Sequence, residues 1–120
     1  MLNIVNANRE VLRTVSLING PWGQVQTCME YCRGLKFVTT ASHGGYLVSR
    51  VFARKNLSVA AQKLGKEAGN YLAYEEDVLA MVVDIELYDM IKPNRSKEDI
   101  LADFVKWHPE YSDYLKVLAQ

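Results

Sequence analysis

The hydrophobic period of this chain changes near its middle, and that change constrains the fold more than any other feature. Upstream of Asn56 the pattern is that of strands. The stretch VLRTVSLI, Val11 to Ile18, reads as a strand ended by the turn signal Asn19-Gly20-Pro21. GQVQTCMEYC alternates, with Val25, Thr27, Met29 and Tyr31 on one side and Gln26, Cys28, Glu30 and Cys32 on the other. A period of two is the strand period. Arg33-Gly34 suits a hairpin turn, and Leu35 to Ala41 is rich in β-branched and aromatic residues. Gly45 to Phe52 reads as a further strand.

Downstream the spacing becomes helical. Ser58 is placed to cap a short helix over VAAQKLGKEA that ends near Gly69. In AYEEDVLAMVVDIELYDM, Val78, Met81, Val82, Ile85 and Tyr88 recur every three or four residues and form one apolar face. Glu75, Glu76 and Asp77 then fall in its first turn, where negative charge suits the helix dipole. Lys92-Pro93-Asn94 stops it. Ser96-x-x-Asp99 resembles a capping box, and the helix behind it would bury Ile100, Phe104 and Trp107, with Leu101 and Val105 alongside. Pro109 can open a last helix with Tyr111, Tyr114, Leu115 and Leu118 facing inward. The expectation is one α+β domain over residues 1–120. An antiparallel sheet of three or four strands from the N-terminal half would pack against three or four helices from the C-terminal half.

Charge and composition narrow the function classes. Fourteen basic and fourteen acidic residues cancel, which argues against a nucleic-acid binder that relies on a general basic excess. A local patch of Arg50, Arg54 and Lys55 stays open as a third option. No apolar run approaches the roughly 20 residues of a membrane span, and MLNIVNANRE lacks the features of a signal peptide, so a cytoplasmic protein is expected. Cys28 and Cys32 are then free thiols, and in an extended strand they point to the same face. With His43 and His108 they do not make the paired spacing of a zinc site, so neither a metal nor a cofactor is expected.

The residues that invite a chemical reading are few. In TASHGGY, Gly44 and Gly45 permit positive φ and uncover backbone N–H groups beside His43. Such a turn can simply join two strands; it can also place an imidazole for proton transfer. Ser42 and His43 are neighbours that point to opposite faces of a strand, and no G-x-S-x-G elbow exists. No catalytic residue is assigned. Seven tyrosines supply amphipathic core lining or a contact surface. Tyr111 and Tyr114, beside Asp103, Glu110 and Asp113, would make an acidic-aromatic surface if exposed.

Pro21-Trp22-Gly23, Thr39 to Gly45 and Tyr74-Glu75-Glu76-Asp77 together resemble a poorly characterised domain family of bacteria, phages and plasmids. The resemblance covers roughly residues 21–90 and leaves the helices from Ser96 onward uncovered. It implies that His43, Gly44, Gly45, Glu75, Glu76 and Asp77 form one constellation; it supplies no reaction. It also implies a mobile-element setting, in which small neutral proteins often inhibit host defence, CRISPR–Cas included. The leading expectation is therefore a non-enzymatic inhibitor that binds a protein of a host defence complex. In it, His43 ties the sheet to a carboxylate of Glu75–Asp77. The alternative is a small enzyme or ligand-binding domain that uses His43 with those same carboxylates.

Overall fold

The structure, a computed structural model, describes residues 1–119. Its strands are β1 (Leu2–Val5), β2 (Val11–Val15), β3 (Asn19–Gly20), β4 (Gly23–Gln24), β5 (Thr27–Cys32), β6 (Leu35–Thr39), β7 (Gly44–Ser49), β8 (Lys66–Ala68) and β9 (Tyr71–Glu75). Its helices are α1 (Arg50–Asn56), α2 (Val59–Leu64), α3 (Ala80–Glu86), α4 (Tyr88–Ile91), α5 (Lys97–Trp107) and α6 (Ser112–Leu118), with a 3₁₀ turn over Pro109–Tyr111.

The fold is α+β, but the sheet differs from the expected one. Seven strands form it, in the order β2-β1-β5-β6-β7-β9-β8. All neighbours are antiparallel except β1 and β5, which run parallel, so the sheet is mixed. Strands also continue past the midpoint, as far as Glu75, rather than stopping in the N-terminal half. The reason lies in two local competitions. The strand through Val48 ends at Ser49 because its side chain accepts the Phe52 N–H and caps α1. Conversely, Tyr71–Glu75 pairs residue for residue with β7, Ser49 to Tyr71 and Gly45 to Glu75, which a helical preamble could not do. Glu75 therefore ends a strand, and α3 has no acidic residue in its first turn. The dipole reading of the three acids fails with it.

Two apolar layers hold the sheet. On one face Leu35, Tyr46, Val48, Leu72 and Tyr74 meet Val82, Val83, Ile85 and Phe104 of the helices. On the other, Leu2, Ile4, Cys28, Val38, Leu47 and Ala73 lie under Val25 and Trp22 of the β3–β4 segment. A register shift between Glu30 and Cys32 changes which face each side chain of β5 meets. Cys28 therefore joins the second layer while Cys32 packs against the first, so the two thiols do not share a face. The stripe on α5 is narrower than its period suggests. Ile100 and Phe104 are buried, but Trp107 is 63% exposed and Val105 is exposed too.

The glycines after His43 serve packing. Neither Gly44 nor Gly45 has positive φ. A Cβ on Gly45 would lie 2.3 Å from the Tyr74 carbonyl oxygen and 2.7 Å from the Trp22 ring. Gly45→Ala should therefore cost about 3 kcal/mol or leave the chain unfolded. Gly69→Ala, in open space at φ +61°, should cost only about 1 kcal/mol. Urea unfolding of both variants checks this; equal losses would show that close approach at Gly45 is not the constraint.

Candidate functional site

The TASHGGY segment forms the β6–β7 turn. Buried Thr40 locks it: its N–H and its hydroxyl both donate to the His43 carbonyl, each at 2.7 Å, while its hydroxyl oxygen accepts the His43 N–H at 3.1 Å. This leaves the imidazole outside, where His43 Nδ1 lies 2.9 Å from a Glu75 carboxylate oxygen. The two side chains are 49% and 42% exposed. Glu76 turns to Gly44 instead. Its N–H donates to the Gly44 carbonyl, and its carboxylate sits where a Cβ on Gly44 would come within 3.0 Å. Asp77 is exposed in the turn before α3. His43, Gly44, Gly45, Glu75 and Glu76 are thus brought together, with Trp22 over Gly45. A histidine held by a carboxylate can move a proton, but a pair this open to water gains little from its charge. Among the described residues no group of three His, Cys, Asp or Glu side chains could hold a metal ion.

Tyr111 and Tyr114 lie away from this turn, in the helical layer. Tyr114 is 2% exposed and packs edge-on against Phe104; Tyr111 is half-buried and stacks on the same ring. The Tyr114 hydroxyl donates to Glu86, whose carboxylate also accepts the backbone N–H and hydroxyl of Ser58. One carboxylate thereby ties α2, α3 and α6 together. Burial, then the hydrogen bond to Glu86, pushes the Tyr114 phenol well above its ordinary value.

A second constellation escaped the sequence reading. Tyr46 on β7 donates to Asp84 Oδ1 on α3 at 2.5 Å, beside Tyr31 of β5. Burial pushes the Asp84 carboxyl up, although the Tyr46 hydrogen bond and Arg95 oppose the shift. Burial, with the Asp84 charge next, raises the Tyr46 phenol far above its usual value. Tyr31, Tyr46 and Asp84 border an open cleft. One part of it holds about 720 Å3 and is lined by Met1, Val5, Met29, Tyr31, Phe37 and Tyr46 among others. A contiguous part of about 540 Å3 reaches Asp84, Met90 and Lys92 at α4. The cleft exists because the helices pack chiefly on β7 and β9 and leave the same face of β1 and β5 bare. A sequence signal was present: Asp84 sits inside the apolar run AMVVDIEL, where a carboxylate needs a partner.

The family described as Domain of unknown function (DUF7007) matches residues 16–118. The chain belongs to that family. The match takes in the turn, β9 and the C-terminal helices, which the motif resemblance had left out; it begins just after β2. No curated protein and no solved structure matches the chain. Among the described residues no helix is long and apolar enough to cross a membrane.

Two variants test the electrostatics. His43→Ala should change unfolding stability by less than about 1 kcal/mol, as for other exposed pairs. A larger loss would make this contact a structural anchor. Asp84 behaves differently, because its native carboxyl binds the proton more tightly than the ordinary value of 3.8 would give. The stability it contributes is present below about pH 4 and falls as pH rises through the native value. The stability of the native protein minus that of Asp84→Asn should therefore decrease as pH rises above about 4. A flat difference would show that the carboxyl is not desolvated.

Proposed function

We propose that the chain is a non-enzymatic binding protein that holds an extended segment of a protein partner in the cleft between the β1–β2 turn and α4. The bare sheet face carries this reading. Its floor offers Met29, Tyr31 and Phe37, all only partly buried, and flexible thioethers with rigid phenols make adaptable contact surfaces. The cleft opens beside β2, an edge strand with exposed Val11 and Leu12. An unpaired edge next to an apolar face suits an added strand.

Charge selects the segment. Arg9 lies on one wall and Lys92 on the other, both exposed. They are also the non-glycine residues with positive φ among those described, at 65° and 53°. Each site has a local cause, a tight turn closed onto Asn6 at Arg9 and the left-handed end of α4 at Lys92. Glycine or asparagine would sit there with less strain. Keeping cations at both favours an acidic segment. An inhibitor of a host defence complex such as CRISPR–Cas, encoded by a phage or other mobile element, fits this binding mode. That part rests on the sequence resemblance alone. The alternative, a catalytic His43–Glu75 pair, rests on the 2.9 Å contact and predicts that His43→Ala abolishes activity.

A photo-crosslinking side chain placed at Met29 and, separately, at exposed Lys63 on α2 tests the cleft in host lysate. The Met29 position should give a discrete protein adduct mapped to an acidic stretch of the partner. Arg9→Ala with Lys92→Ala should reduce it at least about fivefold, the loss of roughly 1 kcal/mol of charge contact. Equal adducts at both positions, or adducts indifferent to the two cations, would overturn the proposal.

A further inference from the structure

The neutral total charge conceals a segregated one. Seven of the fourteen Lys and Arg residues fall between Arg33 and Lys66, and no Asp or Glu falls there. That stretch is β6, β7, α1 and α2, consecutive elements, so the fold keeps the cations near one another. Arg33 is carried on the β5–β6 turn, and this turn is pressed against α1. The Gly34 carbonyl accepts the Ser49 N–H at 2.8 Å, and a Cβ on Gly34 would lie 2.9 Å from Phe52. Arg33 and Lys55 thereby border one depression of about 430 Å3, which Val51, Phe52 and Tyr71 also line. Both cations are exposed.

Tyr71 joins this depression to a second. Its ring carries the Lys36 ammonium 4.8 Å from the centroid, and it also lines a hollow of about 580 Å3 with Lys36, Lys66, Ile18 and Pro21. Two carboxylates flank this path: Glu67, with Arg50 3.5 Å from it, and Glu30, opposite Lys36 in the β5–β6 ladder and paired with Arg13. The result is a track with Arg33 and Lys55 at one end, Tyr71 and Lys36 in the middle and Lys66 at the other. Lys36, Tyr71 and Lys66 belong to the sheet face and edge away from the cleft proposed above, so the two surfaces are independent.

We propose that this track binds single-stranded nucleic acid. Phosphates need cations spaced along a path, and unpaired bases need an aromatic or apolar surface between them. The track supplies both: cations on either side of Tyr71, with Phe52 and Val51 exposed to the same hollow. An acidic polypeptide would use the cations but has no bases to place against the Tyr71 ring. Duplex DNA would need a convex element to enter a groove, whereas here the aromatic lies between hollows.

Fluorescence anisotropy with labelled dT15 tests this directly. At 50 mM salt the full chain should bind, and the logarithm of its affinity should fall with the logarithm of salt at a slope near −2, about three phosphates at −0.7 each. Arg33→Ala with Lys55→Ala should weaken binding about tenfold and flatten the slope by about 1.4. Tyr71→Leu should lower affinity about tenfold with the slope unchanged, the mark of lost stacking. Lys97→Ala with Lys116→Ala, a charge-matched pair on α5 and α6, should leave binding as it was; circular dichroism confirms that each variant is folded. Absence of binding at 50 mM salt would overturn the proposal. So would an equal loss in the control pair, or competition by poly-glutamate as effective as that by unlabelled dT15.

Discussion

The structure depends on how closely β9 and Trp22 approach β7 at Gly45. The Tyr74 carbonyl oxygen and the Trp22 ring both occupy space that any Cβ on this residue would need. That approach places Glu75 opposite Gly45, within reach of His43, and sets Glu76 over Gly44. It also seats Trp22 as part of the lid on the second apolar layer. Three separated stretches of sequence therefore meet because two residues lack side chains. Van der Waals exclusion, rather than a hydrogen bond or a charge, is the determining interaction.

Around this point the sheet divides its faces unequally. Helices cover β7 and β9, and three carboxylate or phenol networks fasten them: Glu86 with Ser58 and Tyr114, Asp84 with Tyr46, and the Tyr74 hydroxyl on the Ala61 carbonyl at 2.7 Å. Buried polar groups persist only when bonded in this way. The covering does not extend to β1 and β5, so one end of the same face stays open as a cleft. The opposite face and edge carry the cationic track. Two surfaces of different chemistry thus follow from one sheet: an apolar one where helices are lacking, and a basic one where cations outnumber carboxylates.

Much of this was legible in the residues. Alternation identified β5, β-branched and aromatic composition identified β6, and Arg33-Gly34 was read as the turn between them; Ser58 and Ser96 were recognisable as caps. The resemblance put His43, Gly44, Gly45, Glu75, Glu76 and Asp77 in one constellation; the first five meet, while Asp77 is exposed in the turn before α3. The form of that contact was not legible. Glycines in a turn suggest positive φ, and nothing local distinguishes that from a glycine demanded by a ring arriving from Trp22. Glu75 to Asp77 looked like a helix start because acids favour that position, yet strand pairing with β7 took Glu75 first. Tyr114 was expected to face inward and does, at 2% exposed; that its hydroxyl would bond Glu86 of α3 was not legible.

The sequence by itself determined the class of elements, several of their caps and turns, and the charge segregation, because each of these is set by residues within a few positions of one another. Only the tertiary structure decided the seven-stranded order, the parallel pairing of β1 with β5 and the bare face beside it. It alone decided the bond from Tyr114 to Glu86 and the joining of the Arg33–Lys55 hollow to that of Lys36 and Lys66 through Tyr71. Those features arise from contacts between residues distant in the chain, where the winning arrangement is the one that buries apolar surface without clash. No local pattern encodes which distant partner will supply it.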